Sequence, residues 1–128
     1  MKRVNNIIRI PASLQNTFFR YWLKFLAPFH SLTEREMDVA AAFLKQRFEL
    51  GKVITDDDVL DKIVMSEEVK RTVRESCNIT TPHFQVIMGK LRKAKIIVDN
   101  RINPKFIPKG INEGDKAFQL LLYFDLNE

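Results

Sequence analysis

Helix-start signals recur at short intervals through the middle of this chain and limit how it can fold. Each signal is a Ser, Thr or Asp side chain that can accept a hydrogen bond from a first-turn N–H, followed by apolar residues at helical spacing. The clearest is a capping box formed by Thr33 and Glu36. Further starts occur at Thr55, Ser66 and Thr80. These intervals predict several short helices around one core, which a chain of 128 residues is long enough to bury.

Apolar residues after these starts fall on one side of each predicted helix. In the helix that follows Thr80, four apolar residues lie within about 100° of one another and are predicted to be buried. They are Phe84, Ile87, Met88 and Leu91. The opposite side carries Gln85 and also Gly89, which costs about 1 kcal/mol relative to Ala inside a helix. A glycine at this position would permit close approach of a backbone or a neighbouring helix.

Several shorter segments are predicted to be extended. Ile96–Val98 and a return strand from Ile102 form a hairpin around a tight turn. Lys52–Ile54 is long enough only for a short strand. Phe118–Phe124 is almost continuously apolar, which favours a strand buried on both faces. We expect it to pair with the N-terminal arm over Asn6–Ile10.

The net charge of +5 is unevenly distributed along the chain. Residues 1–33 carry five basic and no acidic side chains, and residues 90–109 carry seven basic side chains against Asp99 alone. The segments between and after these two blocks are net acidic. Two basic blocks around an acidic middle indicate a polyanion such as nucleic acid as a partner. Lysines and arginines that only solvate surface loops would give the same counts.

Residues 67–109 contain a helix, a short turn, a second helix and a basic hairpin, and this part of the chain resembles the winged helix-turn-helix family. The matching segments are SEEVKR at 66–71, CNITT at 77–81 and LRKAKII at 91–97. The segment INPKFI at 102–107 is similar to the wing exit of some plasmid and phage replication initiators. Together with Thr33–Leu50 as the supporting first helix, the resemblance extends over more than half of the chain.

The resemblance implies an α+β fold with a winged helix-turn-helix core over residues 33–109. An N-terminal arm and an aromatic helix over residues 1–32 would precede this core, and a C-terminal strand within residues 110–128 would pack on it. The implied function is duplex DNA binding without catalysis, in transcription regulation or replication initiation. Residues 80–93 would form the recognition helix in the major groove, and residues 98–105 would form the wing.

Eight side chains of the recognition helix and wing are expected to contact DNA. They are Thr80, Thr81, Gln85, Lys90, Lys93, Lys95, Arg101 and Lys105. Gln85 would read an adenine edge, the threonines would meet phosphate or a thymine methyl group, and the basic side chains would meet phosphates. The alternative is a structural or adaptor protein, for example a phage virion component, in which the same fold joins other proteins. The protein would act in the cytoplasm, or in the virion if a phage encodes it.

The aromatic residues are concentrated near the N-terminus, where six of the 13 lie within residues 18–29. The main apolar stripe of this predicted helix can pack on the domain itself, but Phe19 and Leu23 extend the apolar surface to a second side. One helix cannot easily bury both sides, so we expect a partner contact, in a homo-oligomer or a larger protein assembly. The expected contact residues are Phe18, Phe19, Trp22 and Leu23.

Signals for other kinds of site are weak in this sequence. One cysteine, Cys77, excludes an internal disulfide and a thiolate zinc cluster, and it fits a buried small residue better than a nucleophile. The aspartates at 56–58 and 61 are explained by the favourable position of acids at a helix start. The four glycines form neither a phosphate-binding loop nor a dinucleotide fingerprint. We predict no catalytic residue, no metal or cofactor site and no membrane span.

Overall fold

A computed structural model describes residues 7–126 of the chain. This range contains six α-helices, which are α1 (Phe18–Phe25), α2 (Ala27–His30), α3 (Glu34–Gly51), α4 (Asp57–Val64), α5 (Glu67–Ser76) and α6 (Thr81–Lys93). A two-stranded antiparallel sheet follows, formed by β1 (Ile97–Val98) and β2 (Arg101–Ile102), and then a 3-10 turn at Pro104–Phe106. The described chain is therefore an α+β structure.

The predicted helix starts are confirmed, one of them with a shift of one residue. In the capping box, the Thr33 hydroxyl accepts from the N–H of Glu36 at 3.3 Å, and the Glu36 carboxylate accepts from the N–H of Thr33 at 3.1 Å. In α4, α5 and α6, the side chain of the N-cap residue accepts a hydrogen bond from the backbone N–H of the residue three positions later. These caps are Asp56, Ser66 and Thr80. The cap of α4 is thus an aspartate, which also interacts favourably with the positive end of the helix.

Helix α3 lies at the centre of the core, because α1, α4, α5 and α6 all contact it. Its Phe43 is 2% exposed, and the Phe43 ring lies 6.3 Å from the ring of Phe84 on α6. The four residues predicted to form the inner face of α6 are each at most 3% exposed. That prediction is confirmed for Phe84, Ile87, Met88 and Leu91.

Helix α1 belongs to the same core, which corrects the expectation that its aromatic residues face a partner. Phe19, Trp22 and Leu23 are buried, and Phe18 is half-buried. The reasoning that one helix cannot bury two apolar sides is wrong here because different parts of the chain cover each side. Phe48 of α3 packs against Phe19 at 5.9 Å between ring centroids. On the other side, the Trp22 indole N–H donates to the carbonyl oxygen of Phe106, the last residue of the 3-10 turn, at 2.8 Å.

The aromatic segment is divided between α1 and α2. A turn over residues 13–17 precedes α1. Pro28 lies in the first turn of α2, where its missing N–H costs no helical hydrogen bond. His30 ends α2 and is buried, and its Nδ1 accepts the N–H of Leu32 at 2.9 Å. The proton therefore lies on Nε2, which donates to the Leu23 carbonyl oxygen at 2.8 Å.

The predicted terminal strands are absent from the described residues. Residues 7–10 and 110–126 contain no strand, and residues 52–54 form a turn and the chain after it instead of a strand. Asn6, the first residue of the predicted N-terminal strand, lies outside the described range. Phe118 packs on Phe18 and Trp22 of α1, but the chain beyond it is exposed. A longer strand has no template here, because the sheet has only two residues in each strand.

Replacing Leu91 by Ala should lower the free energy of unfolding by about 2–5 kcal/mol, because its side chain is fully buried between α6 and the rest of the core. The control is Val86→Ala on the exposed side of the same helix, which should change it by less than about 0.5 kcal/mol. Both values come from chemical denaturation. Similar losses for the two variants would mean that the two faces of α6 are assigned wrongly.

Candidate nucleic-acid interface

Helices α5 and α6 are joined by a tight turn whose geometry is set by local hydrogen bonds. The N–H of Asn78 donates to the Glu75 carbonyl oxygen, and the N–H of Ile79 donates to the Arg74 carbonyl oxygen. This is the Schellman pattern at a helix end, which needs one residue in the left-handed region. Asn78 fills that position with φ 54°, a conformation that asparagine tolerates better than most residues. Ile79, the next residue, is buried and anchors the turn to the core.

Arg35 of α3 fixes this turn to the central helix by hydrogen bonds. Its guanidinium donates to the carbonyl oxygens of Cys77 and Asn78, the second at 3.2 Å, and lies 3.5 Å from a carboxylate oxygen of Asp38. Cys77 is half-buried beside it, and burial raises the pKa of its thiol. A protonated, half-buried thiol agrees with a packing role. The turn is thus fixed to the central helix, which also fixes the start of α6.

The outward side of α6 is exposed and carries no acidic residue. Thr81 and Gln85 lie on it as predicted, and Val86 is 59% exposed. Gly89 lies one turn after Gln85 and Val86, between them around the helix axis. A Cβ atom built on Gly89 would meet no heavy atom within 4 Å, so nothing in the described chain explains the absence of a side chain there.

A cluster of four cations surrounds the C-terminal end of α6. These residues are Lys90, Arg92, Lys93 and Lys95, and all four are exposed. Within residues 7–126, none of them has a carboxylate oxygen within 4 Å. Cations are favoured at a helix C-terminus by the negative end of the dipole, but that end carries only about half a charge. The cluster therefore leaves a strongly positive surface at this end of the helix.

Lys95 has an unusual backbone conformation for a lysine. It follows α6 with φ 65°, and it occupies the left-handed position of a second Schellman turn. In that turn the N–H of Lys95 donates to the Arg92 carbonyl oxygen and the N–H of Ile96 donates to the Leu91 carbonyl oxygen. A residue with a Cβ atom costs about 1–2 kcal/mol in this region, where glycine is the common choice. The lysine at this position therefore strains the backbone.

The β1–β2 hairpin is short and is fixed to the rest of the chain at its base. Its two turn residues, Asp99 and Asn100, both have positive φ, as the type I′ turn of a two-residue hairpin requires. Ile97 and Ile102 pair across the strands and are buried. The Asn103 side-chain amide donates to the carbonyl oxygen of Lys95 at 2.9 Å. The position of the hairpin relative to α6 is therefore set by side-chain contacts.

Two predicted contact residues on the hairpin and the 3-10 turn are in different situations. Lys105 is exposed, with no carboxylate within 4 Å in the described chain. The Arg101 guanidinium instead lies 3.5 Å from a carboxylate oxygen of Asp58 and 3.6 Å from one of Asp61, both on α4. Arg101 therefore helps to dock the hairpin on α4. Residue spacing gave no signal for this contact between distant segments.

A groove of about 590 Å³ separates the N-terminal parts of α5 and α6. Thr81, Phe84 and Gln85 line it from α6, and α5 contributes two acidic and three basic side chains, which are Glu67, Glu68, Lys70, Arg71 and Arg74. Charges of both signs meet at this end of the interface. At the other end, where α6 meets the hairpin, the cations of the cluster have no carboxylate within 4 Å in the described chain.

Comparison of the chain with models of protein families, with curated proteins and with solved structures finds no match. No helix within residues 7–126 is long and apolar enough to cross a membrane. The same residues contain no group of three or more His, Cys, Asp and Glu side chains that could hold a metal ion. The chemistry of the exposed α6 face is thus the main guide to function.

Replacing Lys95 by Gly should raise the free energy of unfolding by about 1 kcal/mol, because glycine adopts positive φ without a Cβ clash. The matched control is Lys93→Gly, two residues earlier in the last turn of α6, where the helical backbone makes glycine unfavourable by about 1 kcal/mol. Chemical denaturation of the two variants should give shifts of opposite sign. A loss of stability in both would contradict the left-handed assignment of Lys95.

Proposed function

We propose that the chain is a non-enzymatic protein that binds duplex DNA through a winged helix-turn-helix formed by α5, α6 and the β1–β2 hairpin. In this proposal α6 is the recognition helix, the hairpin is the wing, and α3 is the supporting helix. The observation that carries the proposal is the cluster of four exposed cations, which have no carboxylate within 4 Å in residues 7–126, at the end of a helix face without acidic residues. A DNA backbone is the common polyanion that such a face fits.

The cation cluster and the neighbouring polar residues supply the phosphate contacts. Lys90, Lys93 and Lys95 project from the junction of α6 and the hairpin, and Lys105 from the 3-10 turn. Thr80 caps α6 with its hydroxyl oxygen, so its O–H remains able to donate to a phosphate. Such contacts fix the orientation of the protein on the duplex without selecting a sequence.

The outward face of α6 supplies the base contacts. Gln85 has the amide that can pair with an adenine edge, and Thr81 lies beside it at the start of the helix. Gly89 gives the backbone room to approach base edges, and this accounts for a glycine that costs the helix about 1 kcal/mol. Regulation of transcription and initiation of replication are the processes that such a protein would serve.

A second candidate function is supported by a different surface. Side chains of the C-terminal segment are strongly exposed although apolar: Leu121, Tyr123, Phe124 and Leu126 are each 79–87% exposed. Phe29 of α2 is 72% exposed. Exposed apolar groups of this kind are typical of protein–protein contacts, as in the adaptor alternative and in a homo-oligomer. An adaptor would use these residues and would show no salt-dependent affinity for DNA.

Replacing Lys90 and Lys93 together by Gln should weaken binding about equally on all DNA sequences. Each phosphate contact contributes about −0.9 to the slope of log K against log salt, so the slope should become less negative by about 1.8. The measurement is fluorescence anisotropy of a random-sequence duplex titrated with the full chain at several salt concentrations.

The control for this double variant is Lys24→Gln with Lys116→Gln, which removes the same charge from α1 and from the C-terminal segment. The control should leave the slope close to that of the unchanged protein. Equal slopes for the two double variants would show that the charge acts only through the net charge of the molecule. Absence of salt-dependent binding in the unchanged chain would overturn the DNA-binding proposal and favour the adaptor.

Replacing Gly89 by Ala should move stability and binding in opposite directions. Helix propensity should raise the free energy of unfolding by about 1 kcal/mol, since the new methyl group meets open space. DNA affinity should fall, because the methyl group would lie between the helix and the base edges. Denaturation and anisotropy on the same preparation check both effects. A variant that is more stable and binds DNA with unchanged affinity would show that Gly89 is not at the interface.

A further inference from the structure

The exposed face of α6 separates its uncharged side chains from its charged ones along the helix. In the first half the exposed residues are Thr81, Pro82, His83, Gln85 and Val86, and none of these is Lys or Arg. The cations begin only at Lys90. In docked recognition helices the N-terminal residues contact base edges. On this geometry, uncharged residues face the bases and cations face the phosphates.

The residue types in the first half fit one kind of base pair better than the other. Guanine is most often read by Arg or Lys, which donate to its O6 and N7 atoms. The base-facing half of α6 has neither. A glutamine amide matches the N6 and N7 atoms of adenine, and an apolar side chain matches the 5-methyl group of thymine. Gln85 and the exposed Val86 are such a pair on consecutive positions.

The open space at Gly89 would allow a short side chain such as that of Val86 to contact a base. A lysine or arginine reaches several ångströms from the helix, but valine carries only two methyl groups beyond its Cβ atom. Val86 can touch a base only if the helix backbone lies deep in the groove. Gly89, which has no heavy atom within 4 Å of its Cβ position, lies next to Gln85 and Val86 on the helix surface and permits that approach.

We infer that α6 selects A·T-containing sites in the major groove, with Gln85 reading adenine and Val86 contacting the thymine 5-methyl group. This inference rests on the proposed DNA-binding function. It assigns base selection to the first half of α6 and leaves the cation cluster without a part in it.

The test compares the affinity of the full chain for four alternating duplexes of equal length and charge: poly(dA-dT), poly(dA-dU), poly(dI-dC) and poly(dG-dC). Uracil lacks the 5-methyl group and otherwise keeps the thymine edge. Inosine–cytosine pairs present the minor-groove pattern of A·T and the major-groove pattern of G·C. Binding to poly(dA-dT) should exceed binding to poly(dA-dU) about fourfold for each methyl group contacted. It should exceed binding to poly(dI-dC) and poly(dG-dC) about tenfold or more.

Variants assign each preference to a residue. Val86→Ala should bring the dT-to-dU affinity ratio close to one, while Val59→Ala, which shortens an exposed valine on α4 outside the proposed interface, should leave it unchanged. Gln85→Ala should reduce the preference for poly(dA-dT) over poly(dG-dC) and keep the dT-to-dU ratio. Val86 and Gln85 are exposed, so their replacement leaves the core intact.

The outcomes separate this inference from the function on which it rests. Salt-dependent binding with a dT-to-dU ratio of one would overturn the methyl contact and leave DNA binding standing. Equal affinity for poly(dA-dT) and poly(dI-dC) would overturn major-groove selection, and weaker binding of poly(dG-dC) than of both would assign selection to the minor groove. A dT-to-dU ratio unchanged by Val86→Ala would overturn the role of Val86. Absence of salt-dependent binding to all four duplexes would overturn the proposed function itself.

Discussion

The packing of α3 against four other helices is the constraint on which the remaining structure depends. Phe43 and other buried residues of α3 form the apolar surface on which α1, α4, α5 and α6 pack. Polar side chains of the same helix then fix the orientation of what packs on it. Arg20 of α1 donates to Asp38 at 2.7 Å and pairs with Glu34, while Arg35 holds the turn before α6. Helix α3 therefore sets the orientation of the exposed face of α6, although it contacts only the buried face.

A second set of contacts ties the hairpin to this core through one carboxylate. Asp61 of α4 is largely buried and lies 3.2 Å from the Arg47 guanidinium of α3 and 3.6 Å from that of Arg101 of β2. A carboxylate has lone pairs enough for two guanidinium groups, and half-buried pairs are screened less than exposed ones. The hairpin is thereby fixed to both α3 and α4. In the proposed complex, the wing would meet DNA already oriented.

The sequence predicted best those features that depend on residues within one or two helical turns. The caps at Thr33, Ser66 and Thr80 and the inner face of α6 are of this kind, because their partners lie three to seven residues away. The failures concern contacts between distant segments. The burial of Trp22 required the 3-10 turn and Phe118, and the pairing of Arg101 required α4. Neither contact has a signature in local spacing, and an apolar run such as 118–124 does not state which surface it will meet.

The hydrogen bond from the Trp22 indole to the Phe106 carbonyl oxygen also has a consequence for the order in which the molecule is made. The two residues are separated by 84 positions in the chain. At about 5–20 residues per second, Phe106 is added about 4–17 s after Trp22. Until Phe106 is made, α1 lacks the 3-10 turn that covers one side of its aromatic surface. A nascent chain stalled before Phe106 would present that surface to chaperones, and its release before completion would favour aggregation.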